Sequence, residues 1–412
     1  MRNWAGNVTY GAARVHEPTS VQELCEIVAG ATEVRALGAR HSFNLIADTT
    51  GDLVSVAGLP PRIEVDAGSG TAVVAAGLRY GDVAPVLHAA GFALPNLPSL
   101  PHISVAGAVA TGTHGSGDAN RPLSSSVAAV ELVTADGDLR TLRRGEPDFP
   151  GAVVSLGALG VAVALTLDLV PTFAVRQYVH DDVPLAAVRD HLDAMLASAY
   201  SVSAFTDWRA PRFHVWRKQL DTAPPPPATW MGGRPADGPR HPIPGLPGEV
   251  STPQLGEPGP WHERLPHFRL GFTPSNGDEL QSEFFVARPD ASAAVGALAE
   301  VADRIAPVLH VAEIRSMAAD DQWLSPAYGR DTVGLHFTWR SDQAAVAPVV
   351  GLVERVLAPF APRAHWAKVS TLPPAAMAAA YPRAADSAAL MRRLDPAGRF
   401  ANPYLRDRFP AR

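Results

Sequence analysis

Cysteine is almost absent from the sequence, and dense runs of one charge are missing. The only cysteine among 412 residues is Cys25, which excludes an internal disulfide framework and a cysteine-rich metal site. The net charge of −6 contains no dense block of Lys and Arg, so nucleic-acid binding has little electrostatic support. We therefore expect no metal site and no nucleic-acid partner.

Signals for export or membrane insertion are also missing. The first residues lack the charged and then apolar pattern of a signal peptide. No uncharged apolar stretch reaches the length of about 20 residues that a membrane helix needs. Hydrophobic residues make up 47% and charged residues 18%, which is typical of a globular chain with about two or three domains. We therefore expect a cytoplasmic protein without a membrane span.

Several common enzyme signatures do not occur in the chain. It has no G-x-G-x-x-G fingerprint, no P-loop G-x-x-x-x-G-K-[ST], no H-E-x-x-H pair and no G-x-S-x-G elbow. Nicotinamide binding on a Rossmann fold, P-loop phosphoryl transfer, zinc hydrolysis and serine hydrolysis therefore lose their usual sequence support.

The most unusual segment that is present runs from Ser99 to Gly117. Its nineteen residues include no Asp, Glu, Lys or Arg, and twelve of them are Gly, Ala, Ser or Thr. A backbone without bulk can approach a flat ligand closely, and free N–H groups in glycine turns can bind phosphate. The segment is thus a candidate bed for a large phosphate-bearing cofactor. Close packing of two core elements would explain the same composition.

The order of predicted elements indicates an α+β protein with a change of pattern near Pro171. Short strands and helices alternate before that point, and a hairpin is predicted across the Asp136-Gly137 turn. The later part reads as a sheet with helices on one face, interrupted by a Pro/Gly-rich loop from 223 to 260. Its predicted strands are 201–208, 212–218, 283–286, 311–315, 334–339 and 365–369, and its helices are 184–196, 293–305 and 344–356, with short helices over 373–405.

Several motifs together resemble the vanillyl-alcohol-oxidase (VAO/PCMH-type) flavoprotein superfamily, and within it the alditol oxidases. They are LGARHSFN at 37–44, LPN at 94–96, the segment 99–117, and the downstream runs DWRAP at 207–211, PGPWHERLPHF at 258–268 and QWLSPAYGRD at 322–331. The resemblance covers nearly the whole chain. It implies a two-domain α+β fold, with an FAD domain at 1–170, a substrate (cap) domain at 171–371 and a C-terminal segment at 372–412 that returns to the FAD domain.

The resemblance also places the cofactor. His41 stands where alditol oxidases attach FAD covalently through the 8α-methyl carbon, a task that suits the nucleophilic nitrogen of a neutral imidazole. A turn histidine that only hydrogen-bonds the backbone is the alternative. The other predicted FAD contacts are Gly38, Ala39, Arg40, Ser42, Ser99, Ser104, Gly107, Gly112, Thr113, His114, Gly115 and Ser116.

Three later segments carry polar residues at i and i+2, which share one face of a strand. The pairs are Glu313 and Arg315, His336 and Thr338, and Trp366 and Lys368. Ordinary alternation with one solvated face would give the same pattern. The resemblance places a polyol at Ser99, Glu313, Arg315, His336, Thr338 and Lys368.

A polyol suits such residues because a site that hydrogen-bonds each hydroxyl rejects analogues that lack them. We predict that Arg315 and Lys368 favour alkoxide character at the C1 oxygen and that His336 accepts its proton. The resemblance implies hydride transfer from C1 to the flavin and reduction of O2 to H2O2.

Two other functions remain open at this point. They are a sugar-1,4-lactone oxidoreductase of the same fold and a flavin- or sugar-binding protein without turnover. The expected partners are a small polyol and O2, and we expect a monomer. Pro98 departs from the alanine that alditol oxidases can carry there, which bears on oxygen access to the flavin.

Overall fold

The computed structural model describes residues 1–272 and 278–410. The part before residue 172 contains a small parallel sheet and a five-stranded antiparallel sheet, in the orders β1-β3-β2 and β4-β5-β9-β7-β8. Its strands are β1 Arg14–His16, β2 Val34–Leu37, β3 Asp52–Ser55, β4 Ile63–Asp66, β5 Thr71–Ala75, β6 Phe92–Ala93, β7 Val127–Val133, β8 Leu139–Arg143, β9 Val161–Asp168 and β10 Val170–Pro171. Its α-helices are α1 Val21–Gly30, α2 Tyr80–Ala89, α3 Val105–Ala110 and α4 Phe149–Ala152.

Local chemistry explains several of these boundaries. The Ser20 side chain accepts a hydrogen bond from the backbone N–H of Glu23, so it caps the start of α1. The β7–β8 hairpin turns at Gly137, whose φ of 84° lies in the region that glycine adopts without strain. The hairpin agrees with the sequence-based prediction of a turn at Asp136-Gly137.

The middle of the chain forms one large antiparallel sheet, which we call the cap sheet. Its strand order is β14-β11-β13-β12-β17-β18-β16-β19, and β15 pairs with β11. The strands are β11 Ala174–Pro184, β12 Ser201–Thr206, β13 Arg212–Leu220, β14 Arg234–Pro235, β15 Pro258–Pro260, β16 Glu279–Ala287, β17 Leu309–Met317, β18 Thr332–Arg340 and β19 Arg363–Ala364. The helices of this part are α5 Leu185–Asp190, α6 Leu192–Leu196, α7 Ala291–Ala299, α8 Ala302–Ile305 and α9 Gln343–Leu357.

The cap sheet has one apolar face and one polar face because its strands alternate. On β17, Ala312 and Ile314 join the hydrophobic core with the helices, whereas Glu313 and Arg315 line a cavity on the other face. The same alternation on β18 sends Leu335 to the core. Helices on one face of the sheet therefore leave the other face free for polar groups.

One helical stretch of the cap domain is apolar enough to be compared with a membrane helix. Within the described residues, Gln343–Phe360 has a length and composition that would allow a crossing. Its residues Val346, Val350, Val353 and Leu357 all lie in the hydrophobic core that also holds the apolar face of the cap sheet. Packing against the sheet accounts for that composition.

Two sequence-based predictions about strands are wrong. The long strand β11 was not predicted, and the predicted strand 365–369 is not one. The chain leaves β19 at Ala364 and turns, because the backbone N–H of Lys368 donates to the carbonyl of His365. Trp366 and Lys368 therefore do not share a strand face, and the Trp366 indole N–H instead donates to the carbonyl of Leu324.

The end of the chain packs against its beginning. After the cap sheet come α10 Pro374–Ala379, α11 Ala384–Leu394 and α12 Pro403–Arg408. The Asn402 amide donates to the carbonyls of Leu45, Ile46 and Asp48, and Arg35 donates to the carbonyl of Phe400. The loop that carries residues 38–44 is thus held from behind by the C-terminal segment.

Candidate active site

A single large cavity of about 730 Å³ joins the N-terminal part of the chain to the polar face of the cap sheet. One end is lined by residues 35–43 and 75–79 and by residues 98–100, 103–104, 106–108, 110–111 and 113, and the other by residues of β16, β17 and β18 together with Lys368. Fifteen of the predicted site residues line it: Gly38, Ala39, Arg40, His41, Ser42, Ser99, Ser104, Gly107, Thr113, His114, Glu313, Arg315, His336, Thr338 and Lys368.

The first end of the cavity, which we call the glycine end, is shaped by close contact between the loop at Gly38 and helix α3 at Gly107. A Cβ on Gly38 or Gly107 would lie 2.7 or 2.8 Å from the Oγ of Ser104, so glycine lets both segments pack against this serine. The backbone N–H of Ala39 donates to the same Oγ over 3.3 Å. Arg40 follows with φ of 62°, a left-handed conformation that sharpens the turn. Both segments lie in the cavity wall, where a flat ligand with phosphates can approach their backbone.

His41 lies at the wall of this end in an unusual state. Its ring stacks on Trp4, with centroids 5.0 Å apart. Burial lowers the pKa of His41 to about 4, so the imidazole is neutral at neutral pH. Among the described residues, no group hydrogen-bonds its buried Nδ1. A neutral, unpartnered nitrogen beside the cavity fits a histidine that bonds to a cofactor.

Three residues predicted to contact the cofactor lie outside the cavity wall. Gly112 has φ of 71° and serves a turn. A Cβ on Gly115 would lie 2.1 Å from the Oδ1 of Asn96, so this glycine permits close packing. The Ser116 hydroxyl donates to the carbonyl of Val202 on the cap sheet. These residues shape the segment behind the cavity, and they serve the path of the backbone.

The charged end of the cavity follows from strand register. His336 on β18 stands directly between Glu313 on β17 and Glu283 on β16. Three ionisable side chains therefore cross the sheet in one row, on the face opposite the helices. The predicted pairs Glu313 with Arg315 and His336 with Thr338 lie together on this face.

Glu283 is the centre of the charged cluster, and the sequence reasoning did not select it. Its carboxylate, with 1% of the side chain exposed, accepts from Lys368 Nζ at 2.7 Å and Arg315 Nη2 at 3.0 Å. His114 Nε2 lies 3.0 Å away. Burial alone would raise the pKa of Glu283, but the positive charges of Lys368 and Arg315 hold it well below its usual value. The strand that carries it also contains Glu279, Gln281 and Ser282, so the sequence did not single out this carboxylate.

The contacts of Lys368 change the role predicted for His336. Lys368 Nζ lies 2.7 Å from His336 Nδ1, and His336 Nε2 lies 3.1 Å from the Thr338 hydroxyl. Burial and the charge of Lys368 lower the pKa of His336 to about 4. An ammonium can only donate, so it occupies the Nδ1 lone pair of the neutral ring. His336 is therefore not a free proton acceptor, and it is coupled to Lys368.

Ser99 connects the two ends of the cavity. Its hydroxyl accepts a hydrogen bond from Arg315 Nη1 at 2.9 Å. Arg315 Nε lies 3.5 Å from Glu313 Oε2, so the guanidinium spans from the glycine segment to the cap sheet. Burial would raise the pKa of Glu313, yet the nearby Arg315 lowers it, and the carboxylate stays ionised as a hydrogen-bond acceptor.

The long loop also reaches the cavity, which the sequence did not predict. His241, Pro242 and Ile243 line the wall, and so do His267 and Phe268 farther along the chain. Pro98 lies in the wall beside Ser99. Within the described residues, no group of His, Cys, Asp or Glu has the arrangement of a metal site.

Two family models match separate parts of the chain. The FAD binding domain matches residues 12–143, and the D-arabinono-1,4-lactone oxidase model matches residues 279–408. The first covers Gly38 and Gly107 at the glycine end of the cavity. The second covers most of the charged face, from Glu283 to Lys368.

Characterised relatives match over nearly the full length. The chain is 52% identical to an alditol oxidase of Streptomyces sp. over 411 residues, which covers 99% of this chain and 98% of the relative. It is 30% identical to an L-gulono-1,4-lactone dehydrogenase of Mycobacterium tuberculosis, with 98% and 97% covered. An L-gulonolactone oxidase of Bos taurus is 26% identical, with 98% and 97% covered.

Solved structures with the same fold include cholesterol oxidase from B. sterolicum. That structure matches with a TM-score of 0.81 at 16% sequence identity, covering 99% of this chain and 96% of the other. A solvent-stable cholesterol oxidase also matches with a TM-score of 0.81 at 17% identity. At these identities the likeness establishes the fold alone.

Proposed function

Since the chain belongs to the alditol oxidase family of FAD-dependent flavoproteins, we propose that it oxidises the terminal C1 hydroxyl of an alditol to the aldehyde and reduces O2 to H2O2. The observation that carries this proposal is the cavity that joins the glycine end to a buried cluster of charged side chains. Xylitol and sorbitol are the proposed substrate type.

The charged face supplies the contacts that a row of hydroxyls needs. Glu313 accepts hydrogen bonds, whereas Arg315 and Lys368 donate them, and Ser99 and Thr338 can do both. Several of these groups hydrogen-bond one another or neighbouring residues in the structure, and the hydroxyls of a bound polyol would take up their remaining donors and acceptors. A substrate that lacked one hydroxyl would leave a buried polar group unpaired, so the site favours polyols over simple alcohols.

Lys368 and His336 act together on the reacting hydroxyl. Lys368 lies at the cavity with 13% of its side chain exposed, and Glu283 and His336 fix two directions of its Nζ. The third direction can meet the C1 oxygen. The positive charge favours the alkoxide: Lys368 passes one of its protons to Nδ1 of His336 and takes up the proton that the hydroxyl releases, so the charge comes to lie on the imidazole.

FAD supplies the redox chemistry when bound: it accepts the hydride from C1 and passes two electrons to O2. The residues at the glycine end fit this cofactor, since Gly38, Gly107 and the neighbouring backbone line the cavity and the buried His41 Nδ1 has no hydrogen-bond partner among the described residues. We propose that His41 is the covalent attachment point. Its low pKa keeps the imidazole neutral and nucleophilic.

An oxygen-electrode assay of the purified protein tests the activity. The panel comprises xylitol, sorbitol, the matching aldoses and L-gulono-1,4-lactone. We expect oxygen uptake and an equal yield of peroxide with the alditols and much slower uptake with the lactone. Uptake with the lactone alone would replace this proposal with the lactone oxidoreductase alternative, which the D-arabinono-1,4-lactone oxidase model favours.

The attachment of FAD is tested by acid precipitation of the wild type and His41→Ala. We expect flavin absorbance in the wild-type pellet and in the supernatant of the variant. Flavin that stays in the pellet of H41A would show that another residue holds it.

A further inference from the structure

A fully buried lysine lies behind the polyol side of the cavity. Lys218 on β13 has 1% of its surface exposed, and its Nζ contacts the carbonyls of Leu265 and Pro266 at 2.5 and 3.0 Å. The third contact, at 3.2 Å, is Nδ1 of His267. Burial lowers the pKa of Lys218 to about 7, while the nearby charge of Glu313 acts in the opposite direction. Burying an ammonium group away from water costs free energy unless its hydrogen bonds are satisfied, as they are here.

These contacts fix the hydrogen-bonding state of the His267 ring. Nε2 of His267 is 2.8 Å from Glu313 Oε1, and an ionised carboxylate can only accept, so Nε2 carries a proton and donates it. In the neutral imidazole Nδ1 is then an acceptor, and Lys218 donates to it. Lys218 and Glu313 thus hold His267 as a donor toward the carboxylate predicted to bind the polyol.

The ring of His267 is also held in one plane. Phe205, Trp216 and Phe268 meet it edge to face, with centroids 5.4, 5.4 and 6.4 Å away. Burial together with the charge of Lys218 lowers the pKa of His267 to about 4, so the ring stays neutral. A rigid neutral donor can orient a carboxylate without cancelling its charge.

His267 is joined to the other side of the cavity through its backbone. Its N–H donates to the carbonyl of Ser99 at 2.9 Å. Ser99 belongs to the glycine segment, whereas Glu313 belongs to the cap sheet. His267 therefore contacts two residues that are proposed to bind the substrate, Ser99 and Glu313, which lie on different sides of the cavity.

We propose that Lys218 and His267 are positioning residues that aim the Glu313 carboxylate at the polyol and hold Ser99 opposite to it. This inference rests on the proposed function for the identity of the ligand. Oε1 of Glu313 is occupied by His267, so Oε2 and the remaining lone pairs are left for hydroxyls. Arg315 also approaches Oε2, at 3.5 Å, and completes the orientation.

Steady-state kinetics with xylitol test this role in two variants of one residue. His267→Leu removes both ring contacts, whereas His267→Gln retains an acceptor for Lys218 and a donor for Glu313. We expect the xylitol KM of H267L to rise about 10-fold or more, as expected for the loss of a hydrogen bond to a charged group. The kcat should change much less, and H267Q should return KM close to the wild-type value.

His180→Leu is the matched control. His180 is an equally buried histidine of the cap domain, on β11, and it does not line the described cavity wall. This variant should keep the xylitol KM while losing comparable stability. A KM of H267L that matches that of H180L, or a KM of H267Q as high as that of H267L, would overturn the proposal.

A second measurement does not depend on turnover. Nitrogen-15 NMR of histidine-labelled holoprotein, with H267Q to assign the signal, reports which ring nitrogen of His267 is protonated. We expect a proton on Nε2, and a proton on Nδ1 alone would contradict the positioning role. If the wild type oxidises no alditol, the proposed function fails, whereas this spectrum still tests the contacts of Lys218 and His267.

Discussion

At the level of single residues, the charge balance of the site depends on Glu283. Its carboxylate contacts Lys368 and Arg315, and the neighbouring His114 and His336 are neutral or nearly so. Together with Glu313, this anion stabilises the two buried cations Lys368 and Arg315, each of which would be costly alone. The cations are the groups that we propose to act on the reacting oxygen.

Glu283→Gln removes that charge with little change in shape. Without the carboxylate the pKa of Lys368 falls further below its usual value, because burial already lowers it and Glu283 opposes that effect. We expect kcat to fall by about 10-fold or more and the alkaline limb of the kcat/KM profile to move to lower pH. Glu354→Gln, which alters a buried carboxylate of α9 outside the cavity, should leave the profile in place.

Lys368→Met tests the coupling of the two residues. We expect turnover to fall far more than flavin content, because the lysine contacts the substrate side of the cavity. In the Glu283→Gln background the further loss should be smaller than in the wild type, since the pair acts as a unit. The kcat values of the wild type, the two single variants and the double variant are compared. Losses of kcat that multiply in the double variant would contradict the pairing.

Sequence reasoning selected the residues whose polarity is unusual for their strand, and it missed those whose role depends on packing. Glu313, Arg315 and His336 stand out inside apolar runs, and the structure brings them to one cavity. Glu283 lies at the start of the run that was predicted as a strand, where a charged residue is ordinary. Lys218 was included only as the end of a predicted strand, since burial is not visible in a sequence.

At the level of elements, the C-terminal segment supports the 38–44 loop at the glycine end of the cavity. Asn402 caps α12 through its side-chain oxygen, and its amide donates to three carbonyls of the segment 45–48. That segment directly follows the 38–44 turn. One asparagine therefore connects the last helix to the wall of the cavity.

Asn402→Ala should lower the free energy of unfolding by about 2 kcal/mol or more, since a helix cap and several buried carbonyl contacts are lost together. Urea denaturation of the holoprotein measures the change. Ser20→Ala removes the cap of α1 without touching the cavity wall and should cost about 1 kcal/mol. Equal losses in the two variants would show that Asn402 acts as a cap alone.

The two errors in predicting strands have different physical causes. The segment 365–369 alternates polar and apolar residues as a strand does, but hydrogen bonds onto His365 turn it. Strand β11 carries charged residues such as Arg176 and Asp181, so its sequence does not stand out as a strand. Asp181 is buried because Arg240 from the long loop pairs with it. A local turn decided the first case, and a contact distant in sequence decided the second.

At the level of the whole molecule, the stability of the fold depends on pH because histidines at the charged end of the cavity are buried in their neutral form. The pKa values of His267 and His336 are lowered to about 4, mainly by burial. The unfolded chain binds protons at histidine below pH of about 6.5, whereas the folded chain does not until about pH 4. Acid therefore favours unfolding across this window.

We expect the free energy of unfolding to fall as pH drops from 6.5 toward 4, with each histidine contributing up to about 3 kcal/mol. Urea denaturation at pH 7, 6 and 5 measures the slope. His336→Gln should flatten it, because one proton uptake on unfolding is removed. A stability that is constant over this range in the wild type would contradict the buried neutral state of these rings.

The most direct test of the account is anaerobic mixing of the purified holoprotein with xylitol, followed by flavin absorbance. The central claim is that one cavity presents an alditol hydroxyl on a charged sheet face to a flavin held by bare backbone. The account predicts rapid bleaching of the oxidised flavin by xylitol or sorbitol, strongly slowed in Lys368→Met. A flavin that stays oxidised with every alditol, or that is bleached only by L-gulono-1,4-lactone, would contradict it.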